Sequence, residues 1–360
     1  VEAHLVVHPR RGRRKMLYRT RSYARAGLLG NPSDGYYGKT VAFSIEDFPV
    51  EVVIYESPEL RIEPGDVDKN HFENIGNLVN VVQHYGYYGG VRLIKATIKV
   101  FARYCHDAGI ELPPRNFTIC YSSAVPRLVG LGGSSAICTA TFKALMAFYE
   151  VREIPFELIP TLCWRAESEE LGIQCGMQDR VIQVYEGMVF MDFEKEHFEA
   201  ADHGRYEWLA VAPMPRLYLA YDPNRAEFSG IYHRKLRVLF EEQKREIIAA
   251  MGEFADFAQQ GRDAIAAGNL DLLPGLINAN FDLRNRLFNV SPENVRMVQC
   301  ARQVGASAKF AGSGGAIVGT YEDERMFQRL TQELEAIHCT VLRPCLAPAQ
   351  DPAQFAAQSG

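Results

Sequence analysis

The chain reads as an α+β protein, and three observations point there. Strand-like and helix-like periods are mixed along the first two thirds but only partly alternate, and helical runs dominate one long later stretch. Glycine clusters sit between strand-like and helix-like segments, where a backbone must bend tightly. Finally, 360 residues with 47% hydrophobic content can bury a large core and exceed the usual size of one domain, so two domains are expected.

The elements follow in order. Residues 1–20 hold a basic run, with Arg11, Arg13, Arg14, Lys15 and Arg19, and are expected to form a leader without regular structure. Alternation in Val41 to Ile45 and in Val50 to Tyr55 predicts a hairpin. Gly89 to Ala108 reads as a helix, Phe117 to Tyr121 as a strand and Ser134 to Tyr149 as a second helix. Gly187 to Phe193 and Leu217 to Tyr221 read as strands. Proline and charge content between Gly204 and Pro215 marks a boundary, giving an N-terminal domain over 21–205 and a C-terminal domain over 206–346. Helices are expected from Tyr232 to Gly305, then two strand-like runs, Ser307 to Ala311 and Gly315 to Thr320, around a glycine loop. Residues 347–360, rich in Ala, Gln and Pro, are expected to be a loose tail.

Composition narrows the function classes. A net charge of −5 gives no support for a nucleic-acid or anionic-membrane partner. No apolar run approaches a membrane-spanning length. The eight cysteines form no CxxC pair and suit free thiols in a reducing compartment such as the cytoplasm. The nine histidines lack metal-ligand spacing.

The segment that carries most chemical information is Pro126-Arg127-Leu128-Val129-Gly130-Leu131-Gly132-Gly133-Ser134-Ser135-Ala136. A strand-like run precedes it and an apolar helical run follows. Free N–H groups and the positive end of the helix dipole favour a phosphate at such a place. It is neither G-x-x-x-x-G-K-[ST] nor G-x-G-x-x-G. Two further segments stand out, Ala24 to Asp34 and Lys309 to Ala316, the latter reading K-F-A-G-S-G-G-A. Between them lies the acidic run Ala166 to Asp179. A carboxylate there can hold Mg²⁺ through oxygen, and a second can take the proton of an acceptor hydroxyl.

Taken together, these segments resemble the three motifs of the GHMP kinase superfamily, which includes galactokinase and mevalonate kinase. The loop at 126–136 is similar to the second motif, with Gly133 as an extra glycine. Arg25, Leu28, Gly30 and Asp34 match the first motif of galactokinases, while Asn31 and Pro32 replace its Glu and His. Residues 20–345 resemble the plant-type glucuronokinase branch, through Arg21 to Asp34, Gly86 to Leu93, Gln178 to Val181 and Asn280 to Arg284.

The resemblance implies a two-domain GHMP kinase fold with its active site in the interdomain cleft. It implies an ATP- and Mg²⁺-dependent sugar-1-kinase acting on glucuronate, whose product feeds UDP-glucuronate synthesis; a galacturonokinase, a heptose kinase and a non-catalytic sugar or nucleotide sensor on the same scaffold are the alternatives. It further implies that Gly130, Leu131, Gly132, Gly133, Ser134, Ser135 and Ala136 cradle ATP. Ser135 and Glu167 hold the metal, with Glu169 and Glu170 as rivals. Asp179 is the catalytic carboxylate, with Arg25 beside it. Asp34 binds the sugar, and Gly312 and Gly314 border the substrate. A uronate also calls for a guanidinium, whose planar fork pairs with a carboxylate. Arg180 is the first expectation, with Arg127, Arg284 and Arg286 also open.

Overall fold

The computed structural model describes residues 16–65, 68, 74–76, 89–210, 214–223, 236–288, 290–352 and 355. Most of the basic run at 1–20 and Gly86 to Tyr88 therefore lie outside the described residues. Mixed helix and sheet are arranged around two sheets.

The first sheet is antiparallel except at one short edge. Its order is β3 (Arg61–Ile62), β4 (Phe117–Ser123), β2 (Lys39–Glu56), β5 (Met188–Asp192) and β6 (Arg205–Trp208), with β1 (Leu17–Leu29) pairing along β2. The second sheet runs β10 (Thr340–Leu342), β7 (Leu217–Tyr221), β9 (Ala316–Thr320) and β8 (Lys309–Phe310).

Three sequence expectations are corrected here. The two runs at 41–45 and 50–55 are not a hairpin. They are two arms of one bent strand, β2, and both pair with β1: Ala24 faces Ile45, and Tyr23 faces Pro49. The residues between form a bulge that the C-terminal segment pins, through Glu46 N–H to the Cys345 carbonyl and Cys345 N–H to Asp47 Oδ2. Strand β1 begins at Leu17, so 17–20 are structured and not part of a leader. The tail docks as far as it is described. Ala347 and Phe355 are buried, Ala347 N–H donates to the Ser44 carbonyl, and Gln350 N–H donates to the Tyr185 carbonyl.

Helix α1 (Gly90–Asp107) packs on helix α2 (Gly133–Tyr149), and α2 covers the first sheet. Almost all of α2 is buried, which explains its apolar, alanine-rich sequence. Helix α3 (Ile159–Ser168) and helix α4 (Gln178–Tyr185) pack against α2. Helix α5 (Lys195–Ala201) follows β5 at the surface. Later come α6 (Arg245–Ala266), α7 (Leu273–Leu287), α8 (Pro292–Gln303) and α9 (Glu324–Glu335). The main core runs from the first sheet into Leu217, Leu219, Ala258, Ile277 and Val318, so both sheets share buried apolar contact. A smaller core lies between the second sheet and α8 and α9. No described helix is long and apolar enough to cross a membrane.

Candidate active site

The site forms where three loops meet around one arginine. Strand β1 ends between the other two glycine segments: Arg25 N–H donates to the Leu131 carbonyl at 3.1 Å, and Gly27 N–H donates to the Ala311 carbonyl at 2.7 Å. The Arg25 side chain, on β1, then crosses to helix α4. Its Nε donates to Asp179 Oδ1 at 2.6 Å and its Nη2 to Asp179 Oδ2 at 2.7 Å. This is the two-point geometry that makes guanidinium–carboxylate pairs strong and directional. Its Nη1 donates to the Gly130 carbonyl at 2.6 Å and to the Ala311 carbonyl at 3.3 Å. Arg25 therefore touches all three loops and the acidic residue at once. Its side chain is 7% exposed, while Asp179 is 19% exposed and reachable.

Short helix α4 sorts its polar residues by phase. Asp179 and Gln183, four positions apart, face the glycine loop and β1. Gln183 Nε2 donates to the Gly132 carbonyl at 2.7 Å and to the Tyr23 carbonyl at 3.1 Å. Arg180 points to α3 instead. There its Nε and Nη2 both donate to Glu167 Oε2, and its Nη1 donates to the Gly176 carbonyl.

The loop at 130–136 leads into α2 with Gly132 as the helix N-cap, in the left-handed region at φ 76°. A side chain there would be strained and would press on Gln183 and Arg25. No side chain caps this end, so the first N–H groups of α2 face the loop. Ser135 Oγ donates to the Gly132 carbonyl at 3.0 Å, which leaves its lone pairs free to accept.

The third loop packs directly on the second. A Cβ at Gly312 would collide with the Gly130 carbonyl oxygen and lie 2.8 Å from Arg25 Nη1. Lys309 anchors this contact from below. Its Nζ donates to the Gly27 carbonyl at 2.6 Å, to Asn31 Oδ1 at 2.6 Å and to the Phe310 carbonyl at 2.7 Å. Burial, aided by the Arg284 and Arg25 cations, pulls its pKa well below the ordinary lysine value. Asn280 on α7 accepts from Gly30 N–H and donates to the Asn31 carbonyl. Sequence reading left Lys309, Asn280 and Gln183 without a role. Lys309 and Asn280 stood inside the motifs, but only their burial against first-loop carbonyls shows what they do.

On the other side of Asp179 lies a recess bordered by Asp34, Tyr36, Gln174, Cys175, Gly176 and Arg237. Asp34 Oδ2 accepts from Gln178 N–H, the residue just before Asp179. Burial pushes the Asp34 carboxyl up to about 6; the Gln178 hydrogen bond opposes this, the Asp179 charge adds to it, and Arg25 and Arg180 oppose it weakly. The Cys175 thiol is pushed up to about 12 by burial and is neutral near pH 7. Asp179 thus pairs with Arg25 at the glycine loop, one residue after Gln178, whose N–H holds Asp34.

Two sequence expectations collide in this arrangement. Glu167 and Arg180, assigned to metal and sugar carboxylate, are paired with each other, and both side chains are buried. Arg180 has no guanidinium edge to offer a ligand, so the expectation that it reads a sugar carboxylate is corrected. The physical reason is that a wholly buried Glu167 needs a cation beside it. The rivals for the metal role face outward: Glu170 pairs with Lys99 and Arg103, and Glu169 approaches Arg103 and Arg165. Glu167 Oε1 stays buried with no hydrogen-bond partner among the described residues. A bound cation, or water on it, would satisfy that oxygen, so Glu167 and Ser135 fit Mg²⁺ chemically.

The match to known proteins follows this geometry. The GHMP kinases N terminal domain model matches residues 92–187, and the GHMP kinases C terminal model matches 262–337. Two Arabidopsis thaliana proteins, "Probable glucuronokinase 2" and "Glucuronokinase 1", are each 43% identical to the chain, over 313 and 303 residues. Those stretches cover 85% and 83% of this chain, and the same shares of the two relatives. A Streptococcus pneumoniae phosphomevalonate kinase, solved with phosphomevalonate and AMPPNP, superposes with a TM-score of 0.72 at 15% identity. It covers 91% of this chain and 99% of its own, and shows a shared fold. With both domain models matched in order and 43% identity over most of its length, the chain belongs to the GHMP kinase family.

Proposed function

We propose that the protein is a cytoplasmic glucuronokinase. It transfers the γ-phosphoryl group of ATP to the anomeric hydroxyl of D-glucuronate, giving glucuronate 1-phosphate for UDP-glucuronate synthesis. The observation that carries this is the two-point Arg25–Asp179 pair at the glycine loop, with Asp34 held by the N–H of the residue before Asp179. The identity to two glucuronokinases supports glucuronate as the acceptor.

The residues divide the work by position. The N–H groups at the start of α2 and the Gly130 to Ala136 loop receive the ATP phosphates. Ser135 and Glu167 would hold Mg²⁺, which when bound offsets charge on the β- and γ-phosphates. Asp34 accepts hydrogen bonds from the sugar hydroxyls. Asp179 takes the proton of the anomeric hydroxyl as that oxygen bonds to the γ-phosphorus. The bond from the γ-phosphorus to the bridging oxygen breaks, and ADP leaves. Each Asp179 oxygen receives one N–H from Arg25, which holds the carboxylate in a fixed orientation toward the acceptor hydroxyl. Arg25 also places positive charge beside the reacting groups, where it favours the developing negative charge. A two-domain division fits this reading, with the boundary after β6 (Arg205–Trp208) and not at 205/206, because β6 pairs with β5 in the first sheet and each sheet contributes one side of the site.

The test is ADP release by the purified protein with ATP and Mg²⁺, run side by side on glucuronate, galacturonate, galactose and glucose. Glucuronate is expected to give the highest kcat/KM and a 1-phosphate product. A preference for another sugar, or no turnover, overturns the reading.

A further inference from the structure

A uronate at the Asp34 recess meets the Asp34 carboxylate, with the Asp179 charge near enough to act on it, so a cation must offset the repulsion. The arginines singled out in the sequence do not supply it. Arg180 is bound to Glu167. Arg284 is buried and donates to the Gly312 and Ser313 carbonyls, which shapes the third loop. Arg286 is exposed beside Glu253. Arg127 lies three residues before Gly130, in the turn that leads into the glycine loop, and does not border the recess.

The recess itself is bordered by one cationic residue among those described, Arg237. Its position is not accidental to the fold. It lies on a helical turn at 236–241 that is fastened by Leu236, which is buried, and by Phe240, whose ring sits 4.8 Å from that of Tyr36. Tyr36 also borders the recess and joins a small core with Met251, Phe254 and Leu283. Leu236 and Phe240, four apart, form the inner face; Arg237 is one position on and falls at the rim. Arg237 Nε donates to Glu241 Oε1 at 3.0 Å, one turn along. Both side chains are about half exposed, so this pair is weak and exchangeable.

We propose that Arg237 is a specificity-determining residue that reads the sugar carboxylate, exchanging Glu241 for the uronate at the rim of the Asp34 recess. The inference rests on the glucuronokinase reading and names the group that would make it selective. A guanidinium pairs with a carboxylate through two parallel N–H donors, which a neutral hexose cannot use. The neutral Cys175 thiol and the Gln174 amide on the same wall add no charge of either sign.

The test compares kcat/KM for glucuronate and glucose in the wild type and in Arg237→Ala, Arg237→Lys and Glu241→Gln, with ATP binding as the fold control. Arg237→Ala is expected to raise the glucuronate KM about 10- to 100-fold, the lower range for a half-exposed pair, and to reduce the glucuronate-to-glucose ratio in step. Arg237→Lys should recover part of the loss, since one point charge replaces the fork. Glu241→Gln should lower the glucuronate KM a few-fold with no gain for glucose, because the competing anion is gone. If glucose turnover is too slow to follow, calorimetric binding of the two sugars gives the same ratio. A folded, ATP-binding Arg237→Ala that keeps wild-type discrimination overturns the proposal; if that variant does not fold, an unchanged glucuronate KM in Glu241→Gln does so. A wild type that does not phosphorylate glucuronate fails the functional reading first and takes this inference with it.

Discussion

At the scale of single residues, the site is built from charges whose partners decide what each can do. Asp179 is partly exposed and oriented by Arg25. Asp179→Asn keeps the shape but loses the proton acceptor, so kcat should fall by about two or more orders of magnitude, with ATP affinity little changed. Steady-state kinetics with a direct ATP-binding measurement would check this; near-normal turnover in the folded variant would remove Asp179 from the chemistry. Asp34 offers a stability test. Its carboxyl is raised to about 6 in the folded protein, mainly by burial. The protonated form is therefore favoured in the native state. The Asp34 contribution to stability is fully present below about pH 4, the unfolded value, and is lost as pH rises through about 6. Asp34→Asn should then stabilise the fold at pH 8 by up to about 3 kcal/mol, and the gain should shrink as pH falls from 7 to 5. The groups that face Asp34 are Asp179, Arg25, Arg180 and the Gln178 N–H, and none is altered by the substitution. Denaturant curves of both proteins across that pH range would decide; a gain that does not depend on pH would mean that Asp34 is not the titrating group. Glu167 behaves differently. Removing it strands a buried Arg180, which typically costs about 3–5 kcal/mol, so a metal role is better probed at Ser135.

At the scale of elements, the glycine loops work because their backbones touch. Gly312 lies against the Gly130 carbonyl, which also accepts from Arg25. Gly312→Ala would push the second loop away and loosen Arg25, and with it Asp179. The expected result is a folded protein with kcat/KM for ATP lowered at least about tenfold, since small displacements of positioned groups have large kinetic effects. Wild-type ATP kinetics in this variant would show that the two loops are not held by contact. Much of this scale was legible in the sequence. The spacing of Gly130, Gly132 and Ser135 before an apolar run marked the start of α2 to within a residue, and β7 was read with its observed bounds. What was not legible depended on long-range pairing. Nothing local distinguishes a hairpin over 41–55 from two arms of one strand; the long β1 alongside decides it. Likewise the sequence shows that Arg180 follows Asp179, but the turn of α4 sends neighbouring side chains to different partners, one to β1 and one to α3. Arg237 was missed for the same reason, because only the packing of Phe240 on Tyr36 brings its turn to the recess.

At the scale of the whole molecule, the chain's last described residues close the first sheet. Leu346 bridges Ile45, and Cys345 and Ala347 hydrogen-bond across the β2 bulge. Beyond them Phe355 packs edge-on to Phe156 with ring centroids 5.2 Å apart, and Lys143 Nζ lies 5.5 Å from its ring centre. Lys143 also donates to Glu186 Oε1 at 2.7 Å, and Glu186 ends helix α4, which carries Asp179. Burying a phenylalanine is worth about 1.5–3 kcal/mol relative to exposing it. Deleting residues 347–360 removes that ring, exposes Lys143 and breaks the bonds to the Ser44 and Tyr185 carbonyls. The truncated protein should lose about 2–4 kcal/mol of stability, the phenylalanine contribution plus one or two hydrogen bonds. A protein of this size would show this as a lowered Tm by a few degrees. Phe355→Ala alone should reproduce most of the shift. If the truncated chain melts with the 360-residue chain, the segment 347–360 contributes nothing to the fold, and the anchor of α4 must lie in its contacts with α2, α3 and the first sheet.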